Sequence, residues 1–167
     1  MTREQTCCFT GHRPGKLPWG FDEADPRCLA LKGAIARELN GLYRRGFRHF
    51  LSGMAQGCDL YFAEGVLALR ASHPDVTLEG AVPFPGQADR WPEEERARYQ
   101  SILDRCDYET LVQQRYDRWC MMRRNRYMVD RSARILAVYN GVPKGGTAQT
   151  LAYALRKGLH VTILELE

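Results

Sequence analysis

The sequence lacks the features that mark a membrane protein or a zinc protein. No apolar run reaches the roughly 18–20 residues that a membrane-spanning helix needs, and the N-terminal MTREQTCCFTG has no charged leader followed by a long apolar core. The six cysteines include no CxxC pair, the usual spacing of a structural zinc site. We therefore expect a cytoplasmic protein with no membrane association, no metal site and free, mostly buried thiols. Cys58, at a turn-to-helix junction, is expected to have a lowered pKa.

The chain also has only a small excess of charge of one sign. The chain carries 24 Lys and Arg residues against 20 Asp and Glu residues, so its formal net charge is only +4. Domains that bind long nucleic-acid strands usually concentrate positive charge on one face and interleave it with aromatic side chains. The modest excess argues against nucleic acid as a partner, and it is compatible with a small anionic ligand.

A glycine-rich turn lies within LSGMAQGCDLYFAEG, residues 51–65, and it lacks the marks of two well-known phosphate-binding motifs. It has neither the Lys of a P-loop nor the spacing of a dinucleotide-binding fingerprint. Ser52 and Gly53 would let backbone N–H groups face a ligand, and Gly57 precedes a helix whose N-terminal dipole favours an anion. Asp59, in the first helical turn, could cap that helix or bind a ribose hydroxyl.

The apolar residues alternate along the chain between the period of strands and the period of helices. Six stretches are typical of strands: TCCFTG, FRHFLSG, VTLEGAVPF, YETLVQQ, RILAVYNG and HVTILEL. Helical patterns separate them, and the first has its apolar residues on one face: Cys28, Leu31, Ile35, Leu39 and Leu42. This alternation predicts a single α/β domain over residues 1–167, a Rossmann-like three-layer sandwich with a mostly parallel central sheet.

In such sheets, ligands bind at the carboxyl ends of the strands, where the chain crosses into a helix. The segments at these ends are TGHRPG, LSGMAQGCD, VPFPGQ and VYNGVPKGGT. Almost all the Gly, Pro and small polar residues therefore fall on one edge of the predicted sheet. This concentration predicts one binding site at that edge.

Two of these segments offer groups suited to phosphate. In TGHRPG, Arg13 could grip a phosphate or carboxylate with two hydrogen bonds, and His12 could donate to a phosphate or act as a general acid or base. In VYNGVPKGGT, a second run of small residues opens a helix and includes Asn140, Gly145, Gly146 and Thr147. An ordinary turn explains Gly-Gly-Thr at a helix start less well than phosphate binding does.

The fourth predicted helix, RWCMMRRNRYMVDRSA, is dense in arginine. Such a run is usually a solvated face, so most of these arginines are expected to face solvent or another subunit. The predicted core stripe comprises Trp119, Met122, Val129 and Ala133. Asn125 borders that stripe, and a buried amide needs a partner, so we expect it to reach the site with Arg123 or Arg126 beside it. Apolar surface on the fourth or fifth helix could support a homodimer.

Five blocks in order resemble the YpsA-like branch of the SLOG superfamily: TGHRP, LSGMAQGCD, VPFPGQADRW, RNRYMVDRS and VYNGVPKGGTAQTLAYA. That superfamily also contains the DNA-processing protein DprA and the Lonely-guy (LOG) phosphoribohydrolases. The resemblance covers essentially the whole chain and implies a Rossmann-like fold that binds a nucleotide or nucleotide-derived ligand. The binding residues it implies are Gly11, His12, Arg13, Ser52, Gly53, Gly57, Asp59, Asn125, Asn140, Gly145, Gly146 and Thr147. Met54, Pro83 and Arg123, which neighbour them in the same segments, complete the candidate set.

One segment departs from the LOG pattern. LOG enzymes have a motif similar to PGGxGTxxE, in which a Glu assists cleavage of an N-glycosidic bond. The corresponding segment here, KGGTAQTLAY, has Gln149 and Thr150 where that acid would be. We therefore expect a domain that binds or senses a nucleotide-derived ligand, such as an ADP-ribose-like or NAD-derived molecule, without a cofactor. The alternative is a hydrolase that cleaves a nucleotide at its glycosidic or phosphate bond, with Asp59 and His12 as acid–base residues. A single-stranded nucleic-acid binder that uses the fourth helix is the third hypothesis.

Overall fold

A computed structural model describes residues 1–166, which form six β-strands and five α-helices in strict alternation. The strands are β1 (Thr6–Thr10), β2 (His49–Ser52), β3 (Thr77–Val82), β4 (Tyr108–Leu111), β5 (Arg134–Tyr139) and β6 (His160–Glu165). The helices are α1 (Pro26–Arg44), α2 (Cys58–Ser72), α3 (Glu93–Arg105), α4 (Cys120–Asp130) and α5 (Gly146–Arg156). None of these helices combines the length and the apolar character that a membrane span requires.

All six strands form one sheet in the order β4-β3-β2-β1-β5-β6, and every neighbouring pair is parallel. This confirms the predicted α/β, Rossmann-like architecture. The chain builds outward from β1 to β4 and then returns to add β5 on the other side of β1. Because the building direction reverses there, a crevice forms outside the carboxyl ends of β1 and β5.

Successive residues of β1 point into two separate cores, one on each face of the sheet. Cys7 and Phe9 pack with α1, α2 and α3, whereas Cys8 packs with α4 and α5. The three layers of the predicted sandwich are therefore present. All six cysteines are free and five of them are buried, as the absence of paired spacing predicts.

The first helix begins where its sequence provides a cap. Asp25 accepts a hydrogen bond from Arg27 N at 2.8 Å, and Pro26 occupies the first turn, where its missing N–H costs no hydrogen bond. The predicted apolar face is the buried one, comprising Cys28, Leu31, Ile35, Leu39 and Leu42. Since α1 runs back from the carboxyl edge of the sheet, its last residue, Arg44, lies at the opposite edge.

The fourth helix differs most from its prediction. It is shorter than RWCMMRRNRYMVDRSA, and its buried residues are Cys120, Arg124, Met128 and Val129. Trp119, predicted in the core, is 45% exposed. The predicted stripe is right for Val129 and wrong for Trp119, because the buried row follows the i, i+4 and i+8 positions from Cys120 and contains an arginine that the stripe left out.

A buried polar network ties α4 to strands β2, β3 and β4. The carboxylate of Glu79 accepts hydrogen bonds from His49 Nε2 and Thr110 Oγ1, each at 2.8 Å, and from Tyr127 Oη at 2.6 Å. The other ring nitrogen of His49 lies 2.7 Å from Thr77 Oγ1. Burial by itself would raise the pKa of Glu79, but the hydrogen bonds outweigh burial and lower that pKa. A charged carboxylate is thus stable inside this network.

Replacing Glu79 with Gln should weaken the fold most at neutral pH. Because the folded-state pKa lies below that of the unfolded chain, the stabilisation is present above the unfolded pKa and is lost as pH falls through the folded pKa. We expect Glu79→Gln to lower the free energy of unfolding at pH 7 by about 1–3 kcal/mol and to flatten its decrease toward acidic pH. Urea unfolding over a pH series measures both effects.

The matched control is Glu109→Gln on the exposed face of β4. This variant should leave the pH profile of the unfolding free energy as it is in the wild type. An unchanged profile in Glu79→Gln would contradict the role assigned to the network.

Candidate functional site

A cavity of about 280 Å³ lies outside the carboxyl ends of β1 and β5, in the crevice that the strand order creates. The segment after β1, the turn before α2, the first turns of α4 and the start of α5 supply its walls. The lining residues are Phe9, Thr10, Gly11, His12, Arg13, Gly15, Lys16, Ala55, Asp59, Met121, Arg124, Asn125, Gly146 and Thr147. Four segments that are distant in sequence thus meet at the predicted edge.

The walls of this cavity, here called the edge cavity, carry more positive than negative charge. Arg13, Lys16 and Arg124 accompany a single carboxylate, that of Asp59. The N-terminus of α5 adds partial positive charge, because its N-cap residue Gly145 offers no side chain to the first N–H groups. The cavity therefore favours an anionic group.

Asp59 lies in the first turn of α2 and is only 7% exposed. Its Oδ2 accepts a hydrogen bond at 3.2 Å from Ala55 N, which precedes the helix, so this carboxylate braces the turn and does not cap α2. Ser52 Oγ supports it from below by donating to the Asp59 carbonyl at 2.9 Å. Burial raises the pKa of Asp59, although the charges of Arg124 and Arg13 act against burial. The cavity thus contains a carboxyl group that takes up a proton more readily than an exposed aspartate.

His12 is buried and is held at two points. Its Nε2 accepts a hydrogen bond from Asn140 N at 3.1 Å, so the neutral ring carries its proton on Nδ1. Its carbonyl accepts from Cys58 N at 3.2 Å, which fastens the segment after β1 to α2. Burial, followed by the charge of Lys16, lowers the pKa of His12. His12 can offer an N–H donor, but the nitrogen that a general base would use already has a partner.

Arg124 reaches under the cavity from α4 and is only 3% exposed. Its Nη1 donates to the carbonyl of Gly53 and to Gln87 Oε1, and its Nε donates to Asn125 Oδ1 at 2.8 Å. Gln87 Nε2 donates to the same Gly53 carbonyl at 3.3 Å. Burial lowers the pKa of Arg124, and the charge of Asp59 opposes that effect. The prediction that arginines outside the site face solvent or a second subunit is wrong for this residue.

Two glycines allow these close contacts. A Cβ at Gly53 would lie 2.7 Å from the guanidinium carbon of Arg124, so a side chain there would displace that guanidinium. Gly57 has a φ of 85°, in the left-handed region that favours glycine, and a Cβ there would lie 2.8 Å from the His12 carbonyl oxygen. Both residues shape the turn beneath the cavity.

Seven of the candidate ligand residues lie on the wall of the edge cavity. They are Gly11, His12, Arg13, Asp59, Asn125, Gly146 and Thr147. The glycine turns after β1 and β5 therefore meet, although more than half of the chain separates them in sequence. Asn125 reaches the cavity as expected, with its side-chain oxygen held by Arg124.

The other eight candidates do not line this cavity: Ser52, Gly53, Met54, Gly57, Pro83, Arg123, Asn140 and Gly145. The first four form the turn beneath it, and Pro83 is buried directly after β3. Asn140 acts through its backbone N–H on His12. Arg123 is exposed and donates to Asp117 and Gln113, each at 2.8 Å. Its neighbour Arg124 is the arginine that enters the site.

Seven lining residues were not predicted from the sequence, and the charged ones among these seven are Lys16 and Arg124. Lys16 directly follows TGHRPG, so it too lies close to the carboxyl end of β1. Arg124 had a weaker signal, because it shares the i, i+4 row of Cys120 and Met128. That row could have been read as a buried face containing one arginine.

The prediction of a lowered pKa at Cys58 is wrong. The thiol is fully buried, and burial raises its pKa, with a further contribution from the charge of Asp59. The loss of solvation thus outweighs the pKa-lowering effect of the helix N-terminus.

Among residues 1–166, no three His, Cys, Asp or Glu side chains are grouped as a metal site would require.

Adjacent arginines provide a direct test of the buried guanidinium. Arg124→Leu removes the donor to Asn125 Oδ1 and leaves the buried Gly53 carbonyl with the 3.3 Å hydrogen bond from Gln87 Nε2, so we expect a loss of about 2 kcal/mol or more in the free energy of unfolding. Arg123→Leu, the matched control, removes only exposed contacts and should change it by no more than about 0.5 kcal/mol. Urea unfolding measures both, and equal losses would contradict the account of Arg124.

Comparison with known proteins gives a consistent picture. The profile of the YspA SLOG family matches residues 7–167. UPF0398 proteins of Bacillus thuringiensis (strain Al Hakam) and Bacillus cereus (strain AH187) are each 26% identical over 151 residues, covering 89% of this chain and 82% of the relative. The structure of DNA processing protein A (DprA) from Streptococcus pneumoniae is similar with a TM-score of 0.62 at 12% identity, over 96% of this chain. The chain spans half of that DprA chain, and the likeness is one of fold.

Proposed function

We propose that this chain, which belongs to the YspA SLOG family, binds or senses a nucleotide or a nucleotide-derived ligand at its edge cavity. One observation carries the proposal: positive groups from three separate segments converge on a cavity at the switch point of a parallel sheet. A phosphate group matches this arrangement, since it accepts hydrogen bonds from arginine, lysine and helix N–H groups alike.

Arg13 and Lys16 are the groups that remain available to a ligand. Both side chains are exposed, and within residues 1–166 neither forms a salt bridge. Arg124, by contrast, uses its donors on the protein itself. In this proposal, Arg13 and Lys16 hold the phosphate against Gly146 and Thr147, and Arg124 keeps the cavity in shape.

Binding without turnover fits the remaining polar groups. The Thr150 hydroxyl donates to the Gly146 carbonyl at 2.8 Å, and Gln149 does not line the edge cavity. His12 has its accepting nitrogen occupied by Asn140. No pair of groups is therefore arranged here as an evident acid and base.

The proposal predicts a specific effect of Arg13→Ala. The wild type should show a raised melting temperature with AMP, ADP-ribose or NAD, and Arg13→Ala should weaken that binding by roughly tenfold or more, because it removes a charge-assisted hydrogen bond. Calorimetry and thermal-shift titration measure both quantities. Arg44→Ala, which removes an arginine at the opposite edge of the sheet, is the control. If no nucleotide shifts the melting curve and Arg13→Ala changes nothing, the proposal fails.

A hydrolase is the second candidate, because burial raises the pKa of a carboxyl group that lines the cavity. Such a group could protonate a leaving base or phosphate ester. The discriminating variant is Asp59→Asn, whose amide oxygen can keep the hydrogen bond from Ala55 N.

The proposal of binding without turnover predicts that the wild type releases no free base and no ribose phosphate from nucleoside monophosphates. Chromatography of the reaction mixture measures this release. Release by the wild type that disappears in Asp59→Asn would establish the hydrolase in its place. Release that Asp59→Asn leaves unchanged would exclude Asp59 as its acid.

A further inference from the structure

A second cavity, of about 500 Å³, adjoins the edge cavity between α4 and α5. The two share Met121, Asn125 and Gly146 in their walls, so they are neighbours on one surface. The edge cavity alone lies just below the roughly 300–1,000 Å³ of small-molecule sites, whereas the two combined lie well within that range. A ligand in the edge cavity therefore lies beside the second one, here called the outer cavity.

The outer cavity is strongly basic. Arg118, Arg126 and Arg156 line it, and its wall contains no Asp or Glu. Within residues 1–166, none of these three arginines forms a salt bridge. Unpaired guanidinium groups around one concave surface favour a phosphate, which they can bind with two parallel hydrogen bonds.

Aromatic rings are interleaved with these arginines. The Arg118 guanidinium lies 4.5 Å from the ring centroid of Trp119, and the Arg126 guanidinium lies 4.9 Å from that of Tyr153. Tyr153 is fixed by its hydroxyl, which donates to Asp130 at 2.7 Å. Trp119 keeps nearly half of its surface exposed at the start of α4. An exposed indole beside a basic cavity provides a stacking face for a planar base.

We propose that the outer cavity is a subsite for the second half of a dinucleotide, two nucleotide halves joined through phosphate. One half occupies the edge cavity, Arg126 and Arg156 bind the linking phosphates or the second half, and its base stacks on Trp119. This assignment rests on the proposed function, because it needs the first nucleotide half in the edge cavity. Arg126, expected from the sequence beside Asn125, thus belongs to the outer part of the site.

Matched ligands test the assignment. Diadenosine diphosphate contains two AMP halves, so its affinity is compared with that of AMP by calorimetry in the wild type, Trp119→Ala and Phe21→Ala. We expect the dinucleotide to bind the wild type at least tenfold more tightly than AMP. Trp119→Ala should reduce dinucleotide affinity by roughly tenfold, the effect of losing one stacked base, and leave AMP affinity within about twofold. Phe21 is an exposed aromatic residue that lines neither cavity, so Phe21→Ala should change neither the AMP affinity nor the dinucleotide affinity.

The outcomes distinguish failure of the subsite from failure of the proposed function on which it rests. AMP binding that Arg13→Ala weakens, with no preference for the dinucleotide and no effect of Trp119→Ala, would overturn the subsite and leave the proposed function standing. If neither AMP nor the dinucleotide binds the wild type, both the subsite and the proposed function are overturned. A wild-type dimer that Trp119→Ala dissociates in sedimentation would show the outer cavity to be a contact between copies. Tighter binding of a dT12 oligonucleotide than of the dinucleotide, lost in Trp119→Ala, would assign the surface to single strands.

Discussion

The buried guanidinium of Arg124 is the interaction on which the geometry of the edge cavity depends. It extends from α4 beneath the carboxyl edge of the sheet, donates to the Gly53 carbonyl and Gln87, and orients Asn125. A buried cation is costly unless its donors are satisfied, so the turn after β2 must present its carbonyl at one position. That position also determines where Ala55 and Asp59 lie in the cavity wall.

The segment after β1 is fixed in a complementary way. His12 joins β5 through the Asn140 N–H and joins α2 through the Cys58 N–H, so its backbone and ring are both used in support. Arg13 and Lys16 on the same segment stay exposed and unpaired among the described residues. The site therefore has an inner layer whose polar groups are hydrogen-bonded to the protein and an outer layer of exposed cations, and those cations are the charged groups available to an anion.

The fold and the edge of the sheet could be predicted from the sequence because both follow from local patterns. The buried face of α1 repeats every three or four residues, and the glycine segments TGHRPG and VYNGVPKGGT come directly after strands. The i, i+4 row of α4 is only a weak signal for the burial of Arg124, and its partner could not be predicted, because that partner is a carbonyl 71 positions earlier in the chain. The exposure of Trp119 was missed for the same reason, since rotating the helix to bury Arg124 turns the indole outward. The absence of a P-loop lysine in LSGMAQGCD is explained by cations that other segments supply.

The central claim is that a nucleotide-derived ligand binds at the carboxyl ends of β1 and β5. An NMR titration of the backbone amides with ADP-ribose tests it most directly, because it locates the ligand without any substitution. The account predicts that the largest saturable shift changes occur at Gly11, Arg13, Gly146 and Thr147, while the amide of Arg44 at the opposite edge stays unchanged. Saturable changes centred elsewhere, or none at millimolar ligand, would contradict it.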